Sequence, residues 1–226
     1  MPARIDHLVV VAASLGEGAA WCEATLGVTP GPGGEHPLMG THNRLLRIAT
    51  VDHPRAYLEI IAIDPAAAPQ GGRRRWFDMD DEAMRSTIRR EGPRLVHFVA
   101  SVADVAAATK ELKALDIERG EVVPASRMTA RGLLEWKITV RGDGHRTFDG
   151  CLPTLIEWGA RHPAPALPEC GVTLHSLAVT HPQAPKLAAA YEAIGLHAAT
   201  VAPGAANLCA TLFTPRGRVQ LESRGL

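Results

Sequence analysis

The sequence predicts an α+β fold in which tandem βαβββ modules form curled mixed β-sheets around a cavity, with the helices on the outside. Two observations support this prediction. Each of three segments opens with a short strand rich in β-branched residues, continues into a helix, and then gives two or three further strands. The repeat period of about 80 residues is too long for a solenoid and suits tandem copies of a small supersecondary unit.

The first module comprises residues 1–65 and begins with a strand over Arg4–Val11. Ser14 and Glu17 have the spacing of a capping box, so a helix is predicted to start there and to end at Gly27. Two further strands complete the module, over residues 44–49 and 56–63.

Residues 66–92 form a linker with a short helix over 80–90. The run Arg73-Arg74-Arg75-Trp76-Phe77 within it is typical of a solvated segment. The alternative is that Trp76 packs over a cup and that the arginines bind an anionic group.

The second module comprises residues 93–160, with a first strand over 94–100 and a helix over 104–115. Its later strands are predicted over residues 121–125, 133–140 and 152–158. A proline-rich linker over 161–171 leads to a third, partial module over 172–226. The elements predicted for this module are a strand over 172–179, a helix over 184–194, and strands over 208–214 and 218–223.

The composition excludes several classes of protein. Among 226 residues, Lys plus Arg and Asp plus Glu both number 24, so the net charge is zero and nucleic acid is not an expected partner. No stretch reaches the roughly 18 to 20 apolar residues that cross a bilayer. The N-terminus lacks the layout of a signal peptide, so a cytoplasmic protein without membrane partners is expected. The four cysteines are far apart, which favours free thiols.

Four residues at repeated positions carry the main functional prediction. His7 and His97 occupy the same place in the first strands of the two full modules, and Glu59 and Glu157 lie in the last strands. An ionised carboxylate inside an apolar strand needs a partner. A divalent metal shared with imidazoles would be one, and this donor set suits Zn, Ni, Fe or Mn. A satisfied core histidine and an exposed strand glutamate are the plainer alternatives.

The duplicated plan resembles the vicinal oxygen chelate superfamily of glyoxalases, bleomycin resistance proteins and dioxygenases, and within it the glyoxalase-like domain group. The stretches that carry the resemblance are IDHLVVVA, GGEHPLMGTHNRLLRIA, YLEIIAIDP and FDGCLPTLIEW, within residues 4–160. It implies a cup built by paired modules that holds one metal ion. It also implies that His7, Glu59, His97 and Glu157 are the positions able to ligate that metal.

The third module departs from the pattern. It keeps a glutamate at Glu222, but Ser176 stands at the histidine position and His175 is one residue out of register. This module is therefore predicted to be structural, and an unpaired half-unit is compatible with a homodimer.

The glycine-rich loop over residues 31–43 is the most unusual local sequence. Its glycines permit close backbone approach to a ligand, and it is predicted either as a pocket wall or as a polar hairpin. His36 within it is a candidate acid/base or an alternative metal ligand. Further candidates for substrate binding are His42, Asn43, Trp76, Arg127 and Trp136. Arg127 and Arg131 are placed to clamp a carboxylate.

These features predict a metal-dependent small-molecule enzyme of the lyase, isomerase or dioxygenase class. Its substrate would be a vicinal-oxygen, carbonyl or enol compound, with Glu157 or Glu59 as both ligand and base. The alternative is a metal-free protein of the same fold that binds and sequesters a small molecule.

Overall fold

The fold is described by a computed structural model covering residues 2–129 and 132–226. Eight of its strands form one curled mixed sheet, whose order is β2-β3-β4-β1-β5-β8-β7-β6. These strands are β1 (Arg4–Val11), β2 (Gly31–His36), β3 (Thr41–Arg47), β4 (Tyr57–Ile63), β5 (Arg94–Ser101), β6 (Glu121–Thr129), β7 (Gly132–Val140) and β8 (Thr154–Trp158). The helices of this part are α1 (Leu15–Leu26), α2 (Glu82–Glu91) and α3 (Val105–Lys113). The α+β class and the curled sheet are confirmed.

The large sheet consists of two halves related by an approximate two-fold axis. β1 and β5 pair antiparallel at the centre, with His7 opposite Val99 and Val9 opposite His97. This register makes His7 the counterpart of His97 and Val9 the counterpart of Val99. Each central strand also pairs in parallel with the last strand of its own half, β1 with β4 and β5 with β8.

The central pair contains two symmetric bulges. The register shifts between Ile5 and His7 on β1, which leaves Asp6 as the extra residue, and the matching shift on β5 falls at Val96. A bulge interrupts the alternation of side chains along a strand. It therefore allows neighbouring residues such as Asp6 and His7 to contact the same surroundings.

The apolar core has two parts. The outer face of the large sheet packs against α1, α3 and the third module through Leu8, Leu58, Phe98, Leu112 and Leu177. The opposite, concave face forms a cup. Its apolar residues include Val9, Ile61, Val99, Ile138 and Ile156.

The linker over residues 66–92 is not simply solvated. Phe77, Met79, Met84 and Ile88 are buried against the concave face, so this segment fills part of the cup. Its helix α2 begins after Asp81, whose carboxylate accepts a hydrogen bond from the backbone N–H of Met84. The prediction that the run Arg73–Phe77 is solvated is therefore wrong for Phe77, which is buried.

The third module forms the second sheet, in the order β10-β9-β11-β12. Its elements are β9 (Thr173–His181), α4 (Ala184–Ala193), β10 (Ala199–Pro203), β11 (Asn207–Thr214) and β12 (Gly217–Glu222). It docks on the outer face of the large sheet, where the Tyr191 hydroxyl donates to the backbone oxygen of Cys151. His175 is exposed and contacts the ring of Phe213.

Two elements were not predicted as strands. β10 is only five residues long and ends at Pro203, and β2 lies within the glycine-rich loop. β2 pairs with β3 across a register shift between Pro32 and Glu35. Its place at the edge of the sheet tolerates a proline and glycines, which weaken a strand in the interior.

None of the helices in the described residues has the length and apolar character needed to cross a membrane. The four cysteines are free thiols.

Candidate active site

A small cavity of about 50 Å³ lies in the cup, between side chains of both halves. His7, His36, Asn43, Tyr57 and Glu59 contribute its polar side, and Arg127 adds a guanidinium group. Its apolar walls come from Leu45, Trp76, Phe77, Leu134, Trp136, Ile138, Ile156, Trp158 and Pro163. Asn43, Trp76, Arg127 and Trp136 therefore lie at the cup, where the substrate-binding group was predicted.

Glu59 is the buried carboxylate of this cavity, with 5% of its surface exposed. Because side chains alternate along β4, Tyr57, Glu59 and Ile61 share the concave face. The Asn43 amide donates a hydrogen bond of 2.6 Å to Glu59 Oε1, and His7 Nε2 lies 3.7 Å from Oε2. No Lys or Arg among residues 2–129 and 132–226 lies within ion-pair distance of this carboxylate.

His7 is held between two carboxylates. Its Nδ1 lies 2.8 Å from Asp6 Oδ1, and its ring stacks on Tyr57 with centroids 4.5 Å apart. Since Nδ1 is engaged by Asp6, Nε2 is the nitrogen that faces Glu59.

Asp6 is fully buried and accepts hydrogen bonds from three groups. Besides His7, the Trp158 indole N–H donates to Asp6 Oδ2 at 2.9 Å, and His162 Nε2 lies 3.0 Å from the same oxygen. His162 Nδ1 accepts from the backbone N–H of Ala164, so Nε2 carries the proton that Asp6 receives. Burial alone would raise the pKa of Asp6, but the hydrogen bonds from His162 and His7 outweigh it and hold this pKa below its usual range.

His36 is a neutral imidazole at the edge of the cavity. The Asn43 amide lies 3.2 Å from its Nε2, and its Nδ1 lies 3.0 Å from Thr41 Oγ1. Burial lowers the pKa of His36 to about 4, although the nearby Glu59 partly opposes this shift. Asn43 thus links His36 to Glu59, and its side-chain oxygen accepts from the backbone N–H of Gly34.

The glycines of β2 allow a close approach beside the cavity. A Cβ atom at Gly33 would lie 2.1 Å from Asn43 Oδ1, and one at Gly34 would lie 2.0 Å from Arg127 Nη1. Any larger residue would displace one of these groups. The segment over residues 31–43 forms a hairpin of β2 and β3, and its residues His36 and Asn43 line the cavity.

In the second half, both ring nitrogens of His97 are engaged. Nδ1 lies 2.8 Å from the backbone oxygen of Gly150. Nε2 accepts from the Thr154 backbone N–H at 3.1 Å and lies 3.0 Å from Thr154 Oγ1. Gly150 has φ 84°, and a Cβ there would clash with the backbone oxygen of Val96. Burial, with Arg119 nearby, holds the pKa of His97 well below its usual value.

The counterpart of Glu59 in the second half is Thr154. β4 places Glu59 beside Val9, and β8 places Thr154 beside Val99, the counterpart of Val9. Glu157 lies three residues further along β8 and therefore on its other face.

Glu157 consequently lies outside the cup. Its Oε1 pairs with Lys137 Nζ at 2.7 Å, and its Oε2 accepts from the backbone N–H of Val105 at the start of α3. Together these hydrogen bonds lower the pKa of Glu157, the one from Lys137 having the larger effect. The prediction that Glu157 is a ligand or base in the cup is wrong, because its strand register points it to the helix side.

The predicted four-residue metal site does not fit this geometry. Of the four residues, only His7 and Glu59 lie close together. Both ring nitrogens of His97 are already hydrogen-bonded, to Gly150 and Thr154. In the described parts of the chain, no group of three or more His, Cys, Asp or Glu side chains is arranged to hold a metal ion.

His42 lies apart from the cup. It points to the opposite side of β3 from Asn43 and lines a separate groove with Val11, Ile63 and Met84. Its predicted role at the same pocket as Asn43 is therefore wrong. Arg131, predicted to act with Arg127, lies outside the described residues.

The sequence reasoning missed Asp6, Tyr57, Thr154 and His162. Strict alternation along β1 places Asp6 opposite His7, and only the bulge brings the two side chains together. Tyr57 stands two residues before Glu59, and this period-two spacing was a usable signal. Nothing local links His162 in the proline-rich linker to β1.

A model of the family described as "Glyoxalase-like domain" matches residues 5–195. No curated protein sequence matches the chain significantly. A hypothetical protein from Staphylococcus aureus has a similar structure, with a TM-score of 0.57 and 11% identity over 98% of this chain and 85% of that one. This likeness shows a shared fold.

Two solved epimerases also match. Methylmalonyl-CoA epimerase from Streptomyces coelicolor, in complex with 2-nitronate-propionyl-CoA, gives a TM-score of 0.43 and 18% identity over 72% of this chain and 99% of that one. The Mycobacterium tuberculosis epimerase gives 0.39 and 14% over 72% and 91%.

Proposed function

The chain belongs to the glyoxalase-like domain family, and on this premise we propose that it is a small-molecule enzyme that moves a proton at a carbon next to a carbonyl group. Glu59 is the general base. This chemistry is of the isomerase class and uses the residues that the first half of the cup brings together.

The observation that supports the proposal is the environment of Glu59. It is a buried carboxylate at a cavity, hydrogen-bonded by a neutral amide and beside an imidazole. A base in a dry site is more effective than one in water, because no solvent shell competes for the substrate proton. A merely structural glutamate would instead pair with a cation, as Glu157 does.

The proposed proton transfer uses only the substrate and side chains of the cup. A Glu59 oxygen takes the proton of the C–H bond, and the electron pair of that bond moves to the carbonyl, giving an enolate. Return of the proton to the other face of the same carbon inverts that carbon. Where the carbon carries a hydroxyl group, return to the neighbouring carbon, with the hydroxyl proton passing to the former carbonyl oxygen, completes an isomerisation. His7 Nε2, oriented by Asp6, lies 3.7 Å from Glu59 Oε2, which is longer than a direct hydrogen bond.

Arg127 is suited to bind the substrate oxygen. Its guanidinium lines the cavity, and no acceptor on the described part of the chain pairs with it. A cation that donates several hydrogen bonds stabilises an enolate or a carboxylate.

The cavity must widen to admit a substrate. A volume of about 50 Å³ holds only a few water molecules. Trp76 and Phe77 stack at 5.2 Å over this cavity, and Phe77 has a left-handed φ of 60°. Movement of this pair opens the cup without breaking the large sheet.

A second candidate function is metal-free sequestration of an aromatic compound, which the three tryptophans at the cup favour. Trp76, Trp136 and Trp158 all line the cavity. A binding protein of this kind needs the aromatic walls but not the proton-transfer groups.

The test is hydrogen–deuterium exchange followed by NMR, with 2-oxo acids and 2-hydroxyketones in D₂O. The enzyme and its Glu157→Gln control should exchange the protons next to the carbonyl. Glu59→Gln should lower that rate by about 100-fold or more, the usual contribution of a general base. Equal rates in Glu59→Gln and the control would refute Glu59 as the base.

Two further arms separate the alternatives. Elemental analysis and exchange in the presence of EDTA test the metal-dependent form predicted from the sequence, which requires bound metal and loses exchange on chelation. If the wild-type protein catalyses no exchange but aromatic compounds quench its tryptophan fluorescence, the sequestration function is supported instead.

A further inference from the structure

A second, smaller cavity of about 20 Å³ shares Trp76 and Phe77 with the cavity at Glu59. Three arginines and two histidines line it: Arg119, Arg141, Arg146, His97 and His145. No Asp or Glu belongs to its described lining. The cavity is therefore surrounded by cationic and neutral groups.

Arg119 is a buried cation that pairs with no carboxylate among residues 2–129 and 132–226. Only 3% of its surface is exposed. Its Nη1 donates to Thr147 Oγ1, and its Nη2 donates to the backbone oxygen of Pro153 at 2.7 Å. Within the described residues, its buried Nε–H has no hydrogen-bond acceptor.

The other two arginines are already neutralised. Arg141 pairs with Asp143, and Arg146 Nε donates to Asp78 at 2.6 Å. Burial, and to a lesser extent Arg141, lowers the pKa of Arg119 to about 10, so the group is still charged at neutral pH. A buried charge is stable only with a compensating partner, and the described chain supplies no acid for it.

We propose that this cavity binds one small anion, either a halide ion or the carboxylate group of a small organic acid, on Arg119. The charge of the Arg119 guanidinium, which lines the cavity, attracts the anion, whereas its enclosed Nε–H lies beyond the reach of that anion. Thr139 adds a donor, because its oxygen already accepts from the Leu155 backbone N–H and its hydroxyl hydrogen is free to point elsewhere. The proposal does not involve Glu59 and is independent of the proton-transfer function.

The size of the cavity selects the anion. A volume of about 20 Å³ admits a single water-sized group. Bromide, a single atom, comes closest to this limit and formate is the smallest carboxylate, whereas sulfate and phosphate are larger still.

The test titrates bromide, formate and sulfate at constant ionic strength against a gluconate background, with the thermal unfolding midpoint as the readout. Bromide or formate should raise the midpoint of the wild-type protein in a saturable way. Whichever of the two saturates at lower concentration identifies the source as halide or carboxylate. Arg119→Met should raise the half-saturating concentration at least about tenfold.

Arg89→Gln is the matched control, since it removes one positive charge from the exposed pair with Glu82. It should keep the wild-type response. If Arg119→Met does not fold, Thr139→Val and anomalous diffraction from bromide in wild-type crystals carry the test.

Three results would overturn the proposal. The wild-type protein could show no saturable response, which means that water fills the cavity. Sulfate could act as strongly as formate, which means general salt screening. Arg119→Met or Thr139→Val could also respond as the wild type does.

Discussion

In the first half of the cup His7 lies between the carboxylates of Asp6 and Glu59, whereas in the second half His97 lies between the backbone of Gly150 and the hydroxyl of Thr154. The two histidines occupy equivalent positions on the central strands. At each flanking position the acid of the first half is matched by a neutral residue, Val96 for Asp6 and Thr154 for Glu59.

This comparison teaches that the duplicated fold preserves the place of an imidazole but not its chemistry. His7 lies between two carboxyl groups, while hydrogen bonds to neutral groups hold both nitrogens of His97. The charge of the second half resides instead in arginines. Proton transfer is therefore expected from one half only.

The largest effect on stability is expected from Asp6→Val, which gives the first half the residue found in the second. The change leaves three buried donors, on His7, Trp158 and His162, without their acceptor. We expect a loss of about 3 to 5 kcal/mol in the free energy of unfolding, measured by urea denaturation. Asp6→Asn should lose less, because its amide keeps one acceptor. If the Asp6→Val variant unfolds with a free energy within about 1 kcal/mol of the wild type, the acid of the first half does not matter for stability and the contrast with the second half is wrong.

The second-largest effect is expected from pH, through the titration of His36. The pKa of His36 is about 4 in the folded protein and 6.5 in the unfolded chain. Between these values the unfolded chain binds the proton and the folded chain does not, so stability falls as pH falls from 6.5 to 4. His36 alone contributes a loss of roughly 3 kcal/mol, and His97 adds to it in the same direction.

Chemical denaturation at several pH values measures this slope. His36→Gln should flatten it, since the glutamine does not titrate. An unchanged slope in that variant would assign the pH dependence to other groups.

A smaller effect is expected from Thr154→Val. The valine keeps the shape but removes the hydroxyl beside His97 Nε2 and Arg119. The backbone N–H of residue 154 still donates to His97, so the loss should be only about 1 kcal/mol in urea denaturation. A loss comparable to that of Asp6→Val would mean that the second half depends on its polar groups as strongly as the first.

The smallest effect is expected from Glu157→Gln. This change removes a negative charge next to the first backbone N–H of α3, which costs roughly 0.5 kcal/mol in stability. The measurement is the same denaturation with and without high salt, and salt should shrink the difference. A large, salt-independent loss would contradict the placement of Glu157 outside the cup.

The sequence was sufficient for most of the fold, because that part depends on local patterns. β1 was predicted over its observed range, and α1 begins after Ser14 as the capping box indicates. Period-two alternation also put His7 on the same face of β1 as Val9, and both lie on the concave side of the sheet.

The site was predicted only in part, because its remaining members depend on register and on distant segments. Glu157 matches Glu59 in sequence context, yet the β5–β8 pairing makes Thr154 the true counterpart. No local pattern reveals such a shift of three residues. Similarly, Asp6 joins His7 only through a bulge, and His162 reaches it from another linker.

The burial of the linker over residues 66–92 has a consequence for how this cup could be altered. Phe77, Met79, Met84 and Ile88 lie on the inner wall without belonging to the large sheet. The space inside is set by a connecting segment as much as by the strands. Exchanging that segment alone between relatives should therefore transfer ligand size preference while the eight-stranded framework stays as it is.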